Sequence, residues 1–347
     1  MKTKILNASI LVAAAALFAS CAAMSGNGEK VVSLPPELRT PDGMALGGDG
    51  NLYLSINQLT SGFKYPSAIA RFAKGDNIET FFVFEQNSKI GKVSPMGIVF
   101  ADGDIYVADN QMFLGKRGKS RILRIEVKDG KPVECTSVVE NLQISNGIAY
   151  RDGRIYLTDC AVDDESYPMK SAVYSFSLAE LKSGKPVVVS GLNDPHLSAT
   201  VLTRHDGKVK FGADGIAFDK RGRMYVANLG EAQLLRFDVD KNGKAGDAEV
   251  LFKGRGLKST DGLQFGEDGK LYIADFLGNA VARYCPETQT IEIIKTSPIP
   301  NSPENGGLDT PAEAFPLGGK LYISNMNMAI GGHKTDGFEA VTIIDIK

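Results

Sequence analysis

Read for alternation of apolar and polar residues, the chain repeats one phrase six times: a short apolar run, a Gly/Asp turn, then a strand of the form hydrophobic-Tyr-hydrophobic. The copies are PDGMALGGDGNLYLSIN from Pro41, PMGIVFADGDIYVADN from Pro95 and SNGIAYRDGRIYLTDC from Ser145. ADGIAFDKRGRMYVANLG follows from Ala213, TDGLQFGEDGKLYIADFLG from Thr260 and PAEAFPLGGKLYISNMN from Pro311. Apolar runs on both sides of a Gly/Asp turn predict a β-hairpin. Tyr53, Tyr106, Tyr156, Tyr225, Tyr272 and Tyr322 hold the same place in each copy and account for six of the eleven tyrosines. A ring present in every copy points to packing between successive units rather than to ligand binding.

Further strand-like runs follow the hairpins at residues 68–72, 122–127, 173–178, 233–239, 280–285 and 341–346, with outer runs such as 80–84 and 249–252. Four strands in each unit of about 50 residues, six times over, predict an all-β fold, a six-bladed β-propeller with four-stranded blades. The repeat overrides the two domains that length alone suggests and makes residues 30–347 one domain. The sixth unit shows only three strand patterns, and residues 30–34 are β-like without a hairpin partner. They are predicted to supply the outer strand of the last blade and close the ring.

In a propeller the first strand of each blade lines the axis, so equivalent positions of the six phrases converge on one channel. These pivots are Asp42, Met96, Asn146, Asp214, Asp261 and Glu313, spaced 54, 50, 68, 47 and 52 residues apart. The second strands return to the same face and end at Ile56, Asp109, Asp159, Asn228, Asp275 and Asn325. Four convergent carboxylates repel unless a positive charge sits among them. A divalent cation that prefers hard oxygen ligands, Ca²⁺ first or Mg²⁺, meets that need. Only three His are present, none in the phrase, which disfavours a His-rich zinc site. A plainer account of the Asp-Gly and Asn-Gly pairs is turn geometry, which serves for the second-strand set and less well for the axial acids.

Composition changes little in this picture. With 43% hydrophobic and 23% charged residues, and 39 Lys+Arg against 41 Asp+Glu, the chain has no low-complexity tail and no basic footprint for nucleic acid. Its first residues differ. Lys2 and Lys4 precede a short apolar run, and small residues Ala19 and Ser20 precede Cys21. Residues 1–20 read as a secretory signal. A Cys in that place resembles the bacterial lipoprotein box, with Phe18 where Leu is usual. The expectation is a lipidated Cys21, a polar tether over 21–29 and a ring held close to a membrane of the bacterial cell envelope. Extended, eight tether residues reach at most roughly 28 Å. Cys135, Cys160 and Cys285 are an odd number without metal spacing, and read as buried structural thiols.

Over residues 30–347 the sequence resembles the senescence-marker-protein/gluconolactonase family of six-bladed propellers, most clearly at SNGIAYRDGRIYLTD from Ser145 and ADGIAFDKRGRMYVANLGEAQLLRFD from Ala213. That resemblance implies a divalent metal on the axis held by a Glu in blade one, an Asn in blade three and an Asp in blade four. Asn146 and Asp214 match, and Asp42 stands one methylene shorter in the place of the Glu. The implied activity is hydrolysis of a cyclic or simple ester by a monomer, with Mn²⁺ or Zn²⁺ as other possible metals. Asp214 or Asp261 would accept the proton of the attacking water, and Glu313 would complete the shell. Sugar-lactone members carry an Arg-x-Asn-Asp stretch that KVSPM at Lys92 does not match, so polyhydroxylated lactones are disfavoured.

Two loops are candidate rims of the channel. Residues 192–212, with His196 and His205, form a lid or, as the favoured alternative, a solvated loop; 300–310, with Glu304 and Asp309, is expected to be solvated. The alternative from another class is a non-catalytic surface lipoprotein that binds a protein or glycan on its rim, since fold does not decide function.

Overall fold

A computed structural model describes residues 22–25, 29–73, 77–84, 90–205, 209–300 and 306–346. In it each phrase opens an antiparallel sheet, and the sheets form a ring of six blades. Blade one runs Pro41–Leu46, Leu52–Ile56, Ala68–Ala73, Asn77–Val83 from axis to rim. Blade two begins with Pro95–Ala101 and Asp104–Asp109, and blade three with Ser145–Arg151 and Arg154–Asp163. Blade four begins with Ala213–Phe218 and Met224–Asn228, and blade five with Leu263–Phe265 and Leu271–Asp275.

Blade six contains Pro311–Leu317, Lys320–Asn325 and Ala340–Asp345, then the N-terminal strand Glu29–Ser33. The last two pair antiparallel with Lys30 opposite Ile343 and Val32 opposite Val341, so the N-terminal strand closes the ring as the pattern predicts. Glu339 locks this seam: its carboxylate accepts from the Thr40 N–H (3.1 Å) and the Thr60 hydroxyl (2.6 Å). Ala22–Ser25, inside the segment read as a tether, pairs with Glu29–Ser33 as a fifth strand. The leader and Cys21 lie outside the described residues. Among the described residues no helix is long and apolar enough to cross a membrane.

The repeated tyrosine packs blade against blade. Tyr53 meets Phe100 of blade two at 4.7 Å between centroids, Tyr156 meets Phe218 at 4.7 Å and Tyr225 meets Phe265 at 5.0 Å. Tyr322 meets Phe72 at 5.7 Å and joins the last blade to the first. Three of the hydroxyls donate back to an Asp of their own hairpin turn: Tyr53 to Asp49, Tyr225 to Asp219 and Tyr272 to Asp268. One residue type thus supplies apolar area between sheets and a polar tie within one.

The glycine after the pivots of blades one to five serves close approach rather than turn geometry. Gly147 and Gly215 do not have positive φ. Instead a Cβ on Gly147 would lie 2.2 Å from the Asp214 carbonyl oxygen, and one on Gly215 2.3 Å from that of Asp261. These glycines let neighbouring first strands touch around the axis. Gly215→Ala is expected to cost about 3 kcal/mol or more in chemical denaturation, because backbone rather than a movable side chain must yield. Gly48→Ala, with nothing within 4 Å of its Cβ position, should be close to neutral.

Three other expectations change. Within 192–212, Leu197–Thr203 is the outer strand of blade three, paired with Met169–Ser177, so the middle of that stretch is neither lid nor solvated loop. His196 is tucked between Asp194 (2.7 Å) and Glu180 (2.9 Å). Asp309 is buried, 3.5 Å from His333 Nδ1, because its loop folds under the segment that follows blade six's second strand. Glu304 lies outside the described residues. The three cysteines are unpaired, and only Cys160 is fully buried.

Candidate functional site

Converging first strands bring Asp42, Met96, Asn146, Asp214 and Asp261 to one axial cavity that opens on the face where the second strands end. Four acids lie along the axis with almost no exposure: Asp42 6%, Asp214 2%, Asp261 9% and Glu313 8%. Blade six differs by one residue from the register expected. Gly262 approaches the Ala312 carbonyl oxygen, a Cβ there lying 2.4 Å from it, as Gly215 approaches that of Asp261. Ala312 is therefore the sixth pivot, and Glu313 occupies the place that glycine has in blades one to five. Its side chain enters the axis at the level of the glycines, below the ring of Asp42, Asn146, Asp214 and Asp261, and faces a deeper part of the channel. PAEAF lacks the Gly that marks the other pivots, which is why pattern alone misplaces it.

The ring is held by contacts among its own members. Asp214 Oδ2 accepts from Asn146 Nδ2 at 2.9 Å and from Cys160 Sγ at 3.7 Å. Asn57 Nδ2 lies 3.5 Å from Asp42 Oδ2 and 3.7 Å from Met96 Sδ. The Asp214 and Asp261 carboxyls are hydrogen-bonded to each other. Among the described residues no Lys, Arg or His forms an ion pair with any of the four acids. Burial, and then the charge of Asp214, pushes Asp42 up to about 8. Burial, with Asp42 next, does the same to Glu313, also to about 8. Asp214 rises to about 6, burial being offset in part by hydrogen bonds from Asp261, Cys160 and Asn146. Asp261 is pushed well up as well, by burial and then by the charges of Asp214 and Asp42. Crowded acids without a cation hold protons, and Asp214 and Asp261 share theirs.

Glu313 Oε1 is buried without a hydrogen-bond partner. Among the described residues no three His, Cys, Asp or Glu side chains form a ready-made metal cluster. The oxygen donors instead comprise separate carboxylates and the Asn146 amide around a shared space.

Strand alternation separates two roles on the second strands. The terminal Asp and Asn residues turn away from the axis and hold incoming backbone. Asp159 accepts from the N–H groups of Gln143 (2.8 Å) and Ile144 (2.7 Å), and Asp275 from those of Lys258 (2.9 Å) and Ser259 (2.8 Å). The structural reading of that set holds. The next residue along points inward: Asn57 and Cys160 touch ring acids, while Asn110, Leu229, Phe276 and Met326 line the cavity. This second ring is marked in the sequence as the position after each second-strand polar residue, but its mixed chemistry hides it. Val209 and Phe211, from the end of 192–212, also reach the mouth.

The comparisons agree with this fold. The family model for the SMP-30/gluconolactonase/LRE-like region matches residues 58–242 and, in an overlapping second match, 151–310. No curated protein matches the sequence significantly. Among solved structures, a PQQ-bound aldose sugar dehydrogenase from Streptomyces coelicolor aligns with TM-score 0.59 and 15% identity over 91% of this chain and 98% of its own. A luciferin-regenerating enzyme aligns with TM-score 0.59 and 15% identity over 91% and 95% of the two chains. A gluconolactonase from Xanthomonas campestris gives 0.58 and 14% over 92% and 90%. At these identities the structures share the fold. The family match spans more than half of the sequence, and the chain belongs to the SMP-30/gluconolactonase/LRE-like family.

Proposed function

We propose that the protein is a divalent-cation-dependent hydrolase of a lactone or simple ester. One observation carries this reading: three buried carboxylates and the Asn146 amide border one axial cavity, Glu313 reaches the channel just below them, and among the described residues no cationic side chain pairs with any of the four acids. The orphaned Glu313 oxygen and the all-oxygen donor set suit a hard cation, Ca²⁺ before Mg²⁺, Mn²⁺ or Zn²⁺. Asp42, Asn146 and Asp214 would hold it, with Glu313 closing the shell from below. When bound, such an ion polarises a carbonyl oxygen and lowers the pKa of a water. Asp261, hydrogen-bonded to Asp214, would lose its own proton when the cation's charge relieves the crowding, and would then receive the one that water gives up. The enzyme is proposed to act as a monomer at the bacterial cell envelope, hung from lipidated Cys21.

Calorimetric titration of the chain from Ala22 with Ca²⁺, followed by a lactone and aryl-ester panel with and without chelator, tests the reading. Saturable binding and chelator-sensitive turnover are expected. A protein that binds no divalent cation and turns over no ester would overturn it.

A further inference from the structure

We infer that the substrate is an uncharged ester or lactone carrying a hydrocarbon arm, alkyl or aryl, rather than a polyol lactone. This rests on the hydrolase reading for the reacting end and concerns the other end of the molecule. Immediately outside the carboxylate ring the cavity wall is apolar: Phe113, Phe211, Leu229, Phe276, Met328 and Ile330. They come from connections of four different blades and meet only at the mouth of the channel. Phe113, Phe211, Met328 and Ile330 are only partly buried by the protein itself, so their apolar surface remains available to a ligand. That wall is continuous with the acid ring, so a molecule with its carbonyl at the ring must place its remaining atoms against these side chains.

The wall offers hydroxyl groups almost nothing. Apart from the axial residues, its one polar member among the described residues is Asn110, whose Oδ1 is already engaged by the Met112 N–H at 3.1 Å. Among the described residues no Lys, Arg or His lines it. A sugar ring would bury several hydroxyls without partners, which is unfavourable for each one. A methylene seated on the same wall should tighten binding about threefold to fourfold. The Met side chains suit arms of varied shape, since the thioether stem is flexible and polarizable.

The test is direct binding of non-hydrolysable γ-lactams with straight alkyl arms of increasing length, alongside gluconolactam, measured by calorimetry with and without Ca²⁺. The dissociation constant should fall about threefold per added methylene until the wall is covered, with gluconolactam the weakest. Phe211→Ser and, separately, Ile330→Asn should flatten that slope at least twofold while circular dichroism stays unchanged. Affinity independent of arm length, or preference for gluconolactam, overturns the inference. Length-dependent binding without turnover of any ester upholds the hydrocarbon arm as what the wall recognises while ending the hydrolase reading. Turnover equally fast on short and long arms, with a flat binding series, does the reverse.

Discussion

Asp214→Ala is expected to abolish divalent-cation binding and to lower ester hydrolysis by about a hundredfold or more, while the ring still folds. Asp214 is the hub of the axial contacts: Asn146, Cys160 and Asp261 all bond to its carboxylate. Removing it takes one charge from the proposed donor set and frees the Asn146 amide from its anchor. The fold should tolerate this, because the change removes an uncompensated buried acid rather than half of an ion pair. Asp214→Asn keeps the shape and serves as the conservative companion. Asp261→Asn should separate the roles, retaining cation binding in calorimetry while losing most of kcat. Undiminished turnover by the Asp214→Ala protein would refute the proposed centre.

Without divalent cations the protein should lose stability as pH rises from about 5 to about 8.5, with Tm falling by on the order of 10 °C. Asp42 and Glu313 sit near 8 in the folded state against ordinary values of 3.8 and 4.5, and Asp214 near 6. Glu339, raised to about 7 mainly by burial, and Asp159, raised to about 6 by the same cause, act in the same direction. Below about 4 both states are protonated. Between about 4 and 8 the folded chain retains protons that the unfolded chain has released, so unfolding gains with each increment of pH. One carboxyl moved this far corresponds to roughly 5 kcal/mol, and the crowded acids share repulsions rather than adding them. Carboxylates held low by partners, such as Asp219 beside Arg223, have their effect at more acidic pH, outside this window. Saturating Ca²⁺ should flatten or reverse the slope, since the ion takes the place of the protons. A Tm that climbs with pH in the presence of chelator would show that the axial acids are not crowded as described.

Much of this architecture is legible in the amino-acid order alone. The recurring Tyr, the Gly/Asp turns and the alternation around them determine six sheets, and the β-like run near residue 30 is enough to predict how the ring closes. Alternation also predicts which residues line the axis, since the pivots of blades one to five share one place in the repeat. What local pattern could not decide was anything that depends on two blades at once. Whether a glycine serves a turn or a close approach depends on how near the next strand lies, as Gly215 and the Asp261 carbonyl show. Ala312 rather than Glu313 is the sixth pivot because Gly262 of the preceding blade packs on it. The apolar wall joins Phe113 to Ile330, more than two hundred residues apart, and neither belongs to the repeated phrase. Period and turn chemistry are local, so amino-acid order was enough for the blades and for the axial residues of the first five. Proximity across the ring is set by closure, so which acids share a proton and what surface a ligand would meet emerged from the folded ring.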